Sequence, residues 1–225
     1  MWNQDGGART LGPMNAGRTG AGRRRGRFIV LDGIDGCGKS TQAARLVEAL
    51  GRRAERAPLH VREPGSTPVG EGLRALLLAP EHDLDPGTET LMLAAARRAL
   101  LRQRVAPALA EGRDVVCERF HPSTFAYQAE AGGLDGGAVL ELLRGWAGEP
   151  EPDLVILLEV PPAQAARRRG PAGDRIEAKG LAFQESVAQG YRRYAERVPS
   201  TVVIDGARGV EDVAADIARE VERAG

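Results

Sequence analysis

The stretch VLDGIDGCGKSTQ, residues 30–42, runs an apolar segment into a glycine-rich turn and leaves it through Lys-Ser-Thr into an amphipathic segment. Within it Gly33, Ile34, Asp35, Gly36, Cys37, Gly38, Lys39 and Ser40 fit the spacing G-x-x-x-x-G-K-[ST]. The glycines let backbone N–H groups turn inward, and the start of the following helix adds positive dipole, so such a loop cradles phosphate. Lys39 is placed to reach the β- and γ-phosphates, Ser40 to help hold Mg2+, and Thr41 to offer a hydroxyl to the α-phosphate. Only two of the 31 basic residues are lysines, Lys39 and Lys179. Arginine is a bulky planar fork, whereas lysine is a slim point charge that threads into a loop. In an arginine-using chain, a lysine at this position carries information.

Outward from the loop, strand and helix patterns alternate. RFIVLD (27–32), PLHVRE (58–63), RDVVCERF (113–120), PDLVILLEV (152–160) and STVVIDG (200–206) contain strands. Their nearly continuous Val, Ile and Leu runs fit a sheet covered on both faces. Helical spacing marks 40–50, 67–79, 89–112, 138–146, 163–169, 180–198 and 209–224. Strands alternating with helices predict an α/β fold with a parallel sheet and right-handed crossovers, and ligands at the carboxyl ends of its strands.

A chain of 225 residues suggests one domain with a sizeable core. Its formal net charge of +0 argues against a general nucleic-acid binder and a polybasic membrane surface. No apolar run approaches the ~20 residues of a membrane helix. Cys37 and Cys117 make no disulfide framework and read as free thiols in a reducing, cytoplasmic setting. His60, His82 and His121 stand apart, without Cys or Glu at metal-ligand spacing, so no structural metal site is expected. Residues 1–26 are rich in Gly and Arg and lack periodic apolar residues, which reads as a disordered basic tail, with Met14 as a second possible start.

Three further segments bear on chemistry, each with a plainer reading. Glu118 and Arg119 end the third strand, where an acid holds a metal and an arginine clamps an anion; the plainer reading is a surface ion pair. Arg62, Glu63 and Pro64 follow the second strand at the ligand edge; the plainer reading is an ordinary turn with solvated charges. Arg167, Arg168, Arg169 and Arg175 surround a Gly/Pro loop between two helices, a composition suited to a cationic lid over phosphates; the plainer reading is a solvated basic loop.

Taken together these pieces resemble the thymidylate kinases, from about residue 27 to the C-terminus. The resemblance rests on Asp35 in the loop, REPG (62–65), LMLAAAR (91–97), ERFHPSTFAYQ (118–128), PDLVILLEV (152–160), DRIE (174–177) and VVIDG (202–206), in family order and spacing. It implies a three-layer P-loop NTPase fold with a five-stranded parallel sheet and a short arginine-rich lid. It also implies phosphoryl transfer from ATP to dTMP with Mg2+, no nucleic-acid or membrane partner, and a homodimer through the long helices.

Roles follow at matching positions. Asp35 looks like the loop carboxylate near the acceptor, Arg119 like the arginine gripping the dTMP phosphate with Arg62 in the same pocket, and Arg97 like the residue hydrogen-bonding the thymine edge. Glu63 and Pro64 belong to the same acceptor pocket. Thr124, Tyr127 and Gln128 match the segment enclosing base and deoxyribose, with Tyr127 crowding the 2′ position. Ser40 and Glu118 are the expected Mg2+ residues. The loop interior carries no arginine, so the resemblance is to the lid-arginine type, and the choice among Arg167, Arg168, Arg169 and Arg175 stays open. The chain departs from the family pattern at Glu118 (usually Asp), Ser66 (usually Gly) and Leu93 (usually a stacking Phe). Leu93 motivates a second reading, a kinase for another or modified nucleoside monophosphate. A third is a nucleotide-binding regulatory protein without acceptor activity, against which the intact Arg62, Arg97, Arg119 and Tyr127 argue.

Overall fold

The computed structural model describes residues 24–171 and 173–224. Five parallel strands, β1 (Phe28–Asp32), β2 (Leu59–Arg62), β3 (Val115–Glu118), β4 (Leu154–Glu159) and β5 (Thr201–Asp205), form one sheet in the order β2-β3-β1-β4-β5. The order reverses beside β1, which places the loop after β1 at the crevice between diverging crossovers. β1 is buried along its whole length. Its alternate side chains feed two cores. Ile29 and Leu31 join Val116, Ile156 and Leu158 on one face, while Phe28 and Val30 join Val61, Val115 and Leu100 on the other.

The helices among the described residues are α1 (Lys39–Gly51), α2 (Pro68–Leu78), α3 (Pro86–Leu100), α4 (Ala106–Ala110), α5 (His121–Thr124), α6 (Gly136–Ala147), α7 (Pro162–Arg169), α8 (Gly180–Arg197) and α9 (Val210–Arg223). Two expectations need correction. The single helix expected over 89–112 starts earlier, at Pro86, because Asp85 caps it by accepting from Gly87 N at 2.8 Å and Thr88 N at 3.1 Å. It is also interrupted by a π-helical turn over Leu101–Val105. Pro107 lacks the N–H that would close the next ordinary turn, and the ladder loosens just before it.

The segment after β3, read from sequence as part of the acceptor site, is α5 followed by a second π-helical turn, Phe125–Glu130. No local side chain caps α5. The cap comes from Asp32 at the end of β1, whose Oδ2 accepts from Phe120 N at 2.9 Å and Ser123 N at 3.0 Å.

Of the expected tail, residues 1–23 lie outside the described residues. Arg25 pairs with Asp153 at 2.8 Å, and Gly26 N donates to Leu109 O at 3.0 Å.

Candidate active site

The phosphate loop bridges the C-terminal end of β1 and the N-terminus of α1. Gly38, with φ of 101°, caps α1 in the left-handed region that only glycine enters cheaply. Gly36 has φ of 86°, and a Cβ there would run into the carbonyl oxygen of Ala165 on α7. The loop is thus pressed against the helix that leads to the lid. Lys39 is buried, and its Nζ donates to Gly33 O at 2.8 Å and Ile34 O at 2.9 Å. Nζ also lies 3.7 Å from Asp35 Oδ1.

Asp35 joins the two halves of the site. The same carboxylate takes a short ion pair from Arg119 Nη2 and accepts from Tyr127 OH at 3.2 Å. Burial pushes its carboxyl upward, but the charges of Arg119 and Lys39 and the bonds from Arg119 and Tyr127 outweigh it and hold Asp35 well below the usual carboxylate range. Arg119 itself sits at φ of 69°, unusual for a residue with a side chain. Asp32 enforces that turn through Phe120 N and Ser123 N, and Ser123 Oγ accepts from Arg119 Nη1 at 3.0 Å. Tyr191 OH completes the network, donating to Asp32 Oδ1 at 2.8 Å.

Loop and acceptor side share a cleft of about 630 Å³. Lining it are Asp35 to Gln42, Arg62 to Pro64, Leu93, Arg97, Glu118, Arg119, Thr124, Tyr127 and Gln128. Leu93 and Arg97, one helical turn apart on α3, face it together, as their spacing requires. Arg97 is fully buried; its Nε donates to Glu63 Oε2 at 2.6 Å and its Nη2 to Thr124 Oγ1 at 3.0 Å, while Nη1 has no partner among the described residues. Gln128 Nε2 donates to Glu89 Oε2 at 2.8 Å, and its Oε1 is likewise unpartnered. Unpaired buried donors and acceptors are costly in an apolar setting and mark a place where a polar ligand is accommodated.

Arg74 on α2, absent from the sequence reading, also lines the cleft. Burial first, then repulsion by Arg62 and Arg119, lowers its tendency to hold a proton. Three guanidiniums that repel one another across one cavity are stabilised by an anion among them. Nothing in the local pattern around Arg74 separates it from a solvated helix arginine. Asp32, Glu89, Ser123 and Tyr191 were missed because their partners are distant in sequence.

The lid arginines divide. Arg168 lines the cleft, with Nη1 donating to Gly206 O at 2.7 Å and Nη2 to Ala207 O at 2.9 Å. Arg175 is not itself among the lining residues but is bound to two that are, donating to Leu77 O at 3.0 Å and to Glu89 Oε1 at 2.6 Å. Arg169 lies 3.9 Å from Glu177, and Arg167 is exposed.

Ser40 Oγ donates to Glu118 Oε2 at 2.5 Å beside the loop mouth. Burial raises the Glu118 carboxyl, but hydrogen bonds from His60 and Ser40 and the nearby cations bring it below its ordinary value, so it is anionic. A hydroxyl and a carboxylate are hard oxygen donors, and Mg2+ takes few protein ligands when phosphates supply the rest, so this pair fits Mg2+. His60, which has no Glu at metal-ligand spacing in the sequence, contacts Glu118 Oε1 through Nε2 at 2.9 Å across the strand pairing. Strand pairing brings together residues that the sequence separates.

A family model described as thymidylate kinase matches residues 31–217. The thymidylate kinase of Dinoroseobacter shibae is 45% identical over 197 residues, 85% of this chain and 94% of the relative. That of Magnetococcus marinus is 39% identical, covering 88% of this chain and 96% of the relative. Among solved structures, the thymidylate kinase of Ehrlichia chaffeensis superposes with a TM-score of 0.72 at 27% identity, over 88% of this chain and 99% of that one.

Proposed function

This chain belongs to the thymidylate kinase family and passes the γ-phosphoryl group of ATP to dTMP, giving dTDP, and we propose that the phosphate loop and its cleft are where the transfer occurs. The observation that carries this reading is the single carboxylate of Asp35 held between Lys39 and Arg119. One cation belongs to the donor loop and the other to the acceptor side, so the two phosphates meet at Asp35. The reaction forms a bond from a dTMP phosphate oxygen to the γ-phosphorus and breaks the bond to the β-bridging oxygen, with ADP leaving. The dTMP phosphate is already an anion, so no protein nucleophile is needed; positioning and charge stabilisation do the work.

In this assignment Gly33 to Thr41 cradle the ATP phosphates. Ser40 and Glu118 hold Mg2+, which neutralises charge on the donor phosphates. Arg119, Arg74 and Arg62 grip the acceptor phosphate. Arg97 Nη1 and Gln128 Oε1 meet the base, Thr124 fixes Arg97, and Glu63 and Pro64 shape the pocket. Tyr127 stands where the sugar lies. Among the lid arginines Arg168 is the one assigned to the nucleotide, because it lines the cleft, and Arg175 ties the lid to α2 and α3.

A coupled ADP-release assay over a panel of nucleoside monophosphates tests the reading, with dTMP expected as the preferred acceptor. Lys39→Ala is expected to lower kcat by about a hundredfold or more, as loss of a charge-stabilising donor does, with the melting temperature little changed. Near-normal turnover would remove the loop from the mechanism.

A cytoplasmic homodimer belongs to the same proposal. α3 and α6 pack side by side and expose Leu91 (61%) and Trp146 (67%), which supports an apolar face between copies. Sedimentation equilibrium returning only a monomer at micromolar concentration would sink the dimer. Among the described residues no helix is long and apolar enough to cross a membrane.

A further inference from the structure

β2 is an edge strand, and its side chains alternate between the core and the outer face, with Leu59 and Val61 buried and His60 and Arg62 exposed. In the parallel register His60 lies opposite Val116, and Arg62 opposite Glu118. Val116 and Glu118 are two residues apart on β3, so His60 and Glu118 project from the same face. The imidazole reaches along that face, and its Nε2 lies 2.9 Å from Glu118 Oε1. The other oxygen, Oε2, takes the Ser40 hydroxyl at 2.5 Å. An ionised carboxylate only accepts hydrogen bonds, so Nε2 carries the hydrogen in this contact. The Glu118 side chain is mostly covered, at 13% exposure, while His60 closes it off from solvent at 36%.

We propose that His60 is a positioning residue: by holding Oε1 of Glu118 it fixes the carboxylate so that Oε2 stays beside Ser40, where the metal of the nucleotide complex is held. Resting on the assignment of Ser40 and Glu118 to Mg2+, the inference deepens it. Physical need supplies the argument. A glutamate has one more rotatable bond than an aspartate, so ordering its free side chain carries a larger entropy cost. Two anchors, one on each oxygen, define its direction as well as its place. Outer partners of this kind orient metal-binding groups, and their loss weakens metal binding without removing a ligand. Glu118 supplies the reach and His60 the restraint, so neither residue explains the geometry alone.

The test is Mn2+ binding to the enzyme–ADP complex, followed by electron paramagnetic resonance, alongside the Mg2+ dependence of turnover. His60→Leu is expected to weaken Mn2+ binding about tenfold and to raise the half-saturating Mg2+ concentration by a similar factor. KM for dTMP should stay unchanged. His60→Gln, which offers an N–H at similar reach, should restore most of the loss.

A double-mutant cycle separates positioning from general packing. In a Glu118→Asp background the shortened carboxylate no longer meets the imidazole, so His60→Leu should have little further effect. An equal loss in both backgrounds, or wild-type Mn2+ affinity in His60→Leu, would overturn the proposal. Glu118→Gln is the control for its foundation. If that change leaves Mn2+ affinity intact, the metal assignment of Glu118 fails and the positioning role falls with it. If it weakens Mn2+ while His60→Leu does not, only the role of His60 is lost.

Discussion

Arg97 is the largest fully buried side chain among the described residues, with its guanidinium 4.7 Å from the centre of the Phe120 ring. Two of its nitrogens are spent on Glu63 and Thr124, so its orientation is set before any ligand arrives. Leu93, one turn earlier, must then face whatever Arg97 reads. Leu93→Phe is expected to lower KM for dTMP with kcat little changed, because stacking contributes equally to ground and transition states. A gain of about 1 kcal/mol, the low end for a base on an aromatic ring, corresponds to roughly fivefold in KM. Steady-state kinetics with dTMP and dUMP at saturating ATP check this, and a raised KM for dTMP would mean that the pocket is shaped around leucine. The phosphate loop was legible in the sequence because its meaning lies in fixed spacing beside a strand, and Arg97 and Arg119 stood out through the family resemblance. Arg74, Glu89 and His60 were not, because each acquires its role from a neighbour that only the fold supplies.

At the scale of elements, periodicity located every strand, since buried parallel strands are continuous apolar runs with little room for another reading. Helix ends were less legible. The start of α3 was signalled by Asp85 and Pro86, but α5 carried no such signal. Its first N–H groups are satisfied by Asp32 on another element, at 2.9 and 3.0 Å. A cap supplied from β1 leaves no trace in the local sequence of α5. The same borrowed cap turns Arg119 into its left-handed conformation, so the illegible part of the fold and the placement of the cleft arginine share one cause. Both π-helical turns lie beside this region, at Leu101–Val105 and Phe125–Glu130, and neither has a periodic signature of its own.

Two carboxylates of the cleft give the whole molecule opposite responses to pH. Asp35 is held below its ordinary value, so it contributes stability above that value, and the contribution fades as pH falls through its folded pKa. Glu63 behaves in reverse. Burial, only partly offset by Arg97, pushes it up from 4.5 to about 7, and its unpaired Oε1 accepts a proton without losing a bond. Its contribution is complete below 4.5 and is lost as pH rises through about 7. Glu63→Gln should therefore flatten the decline in stability across that window, by at most about 3 kcal/mol between its ends. Urea midpoints of both proteins at pH 5 and pH 8 check this; parallel declines would assign the slope to other groups. The scarcity of lysine has a consequence of its own for anyone wishing to attach something to this protein. Lys39 is shielded between two carbonyls of the phosphate loop, whereas Lys179 is exposed at the foot of α8, its ammonium 4.7 Å from the Phe183 ring centre. Amine-directed chemistry thus finds one accessible lysine side chain among the described residues, beside the lid, and leaves the lysine of the nucleotide loop shielded.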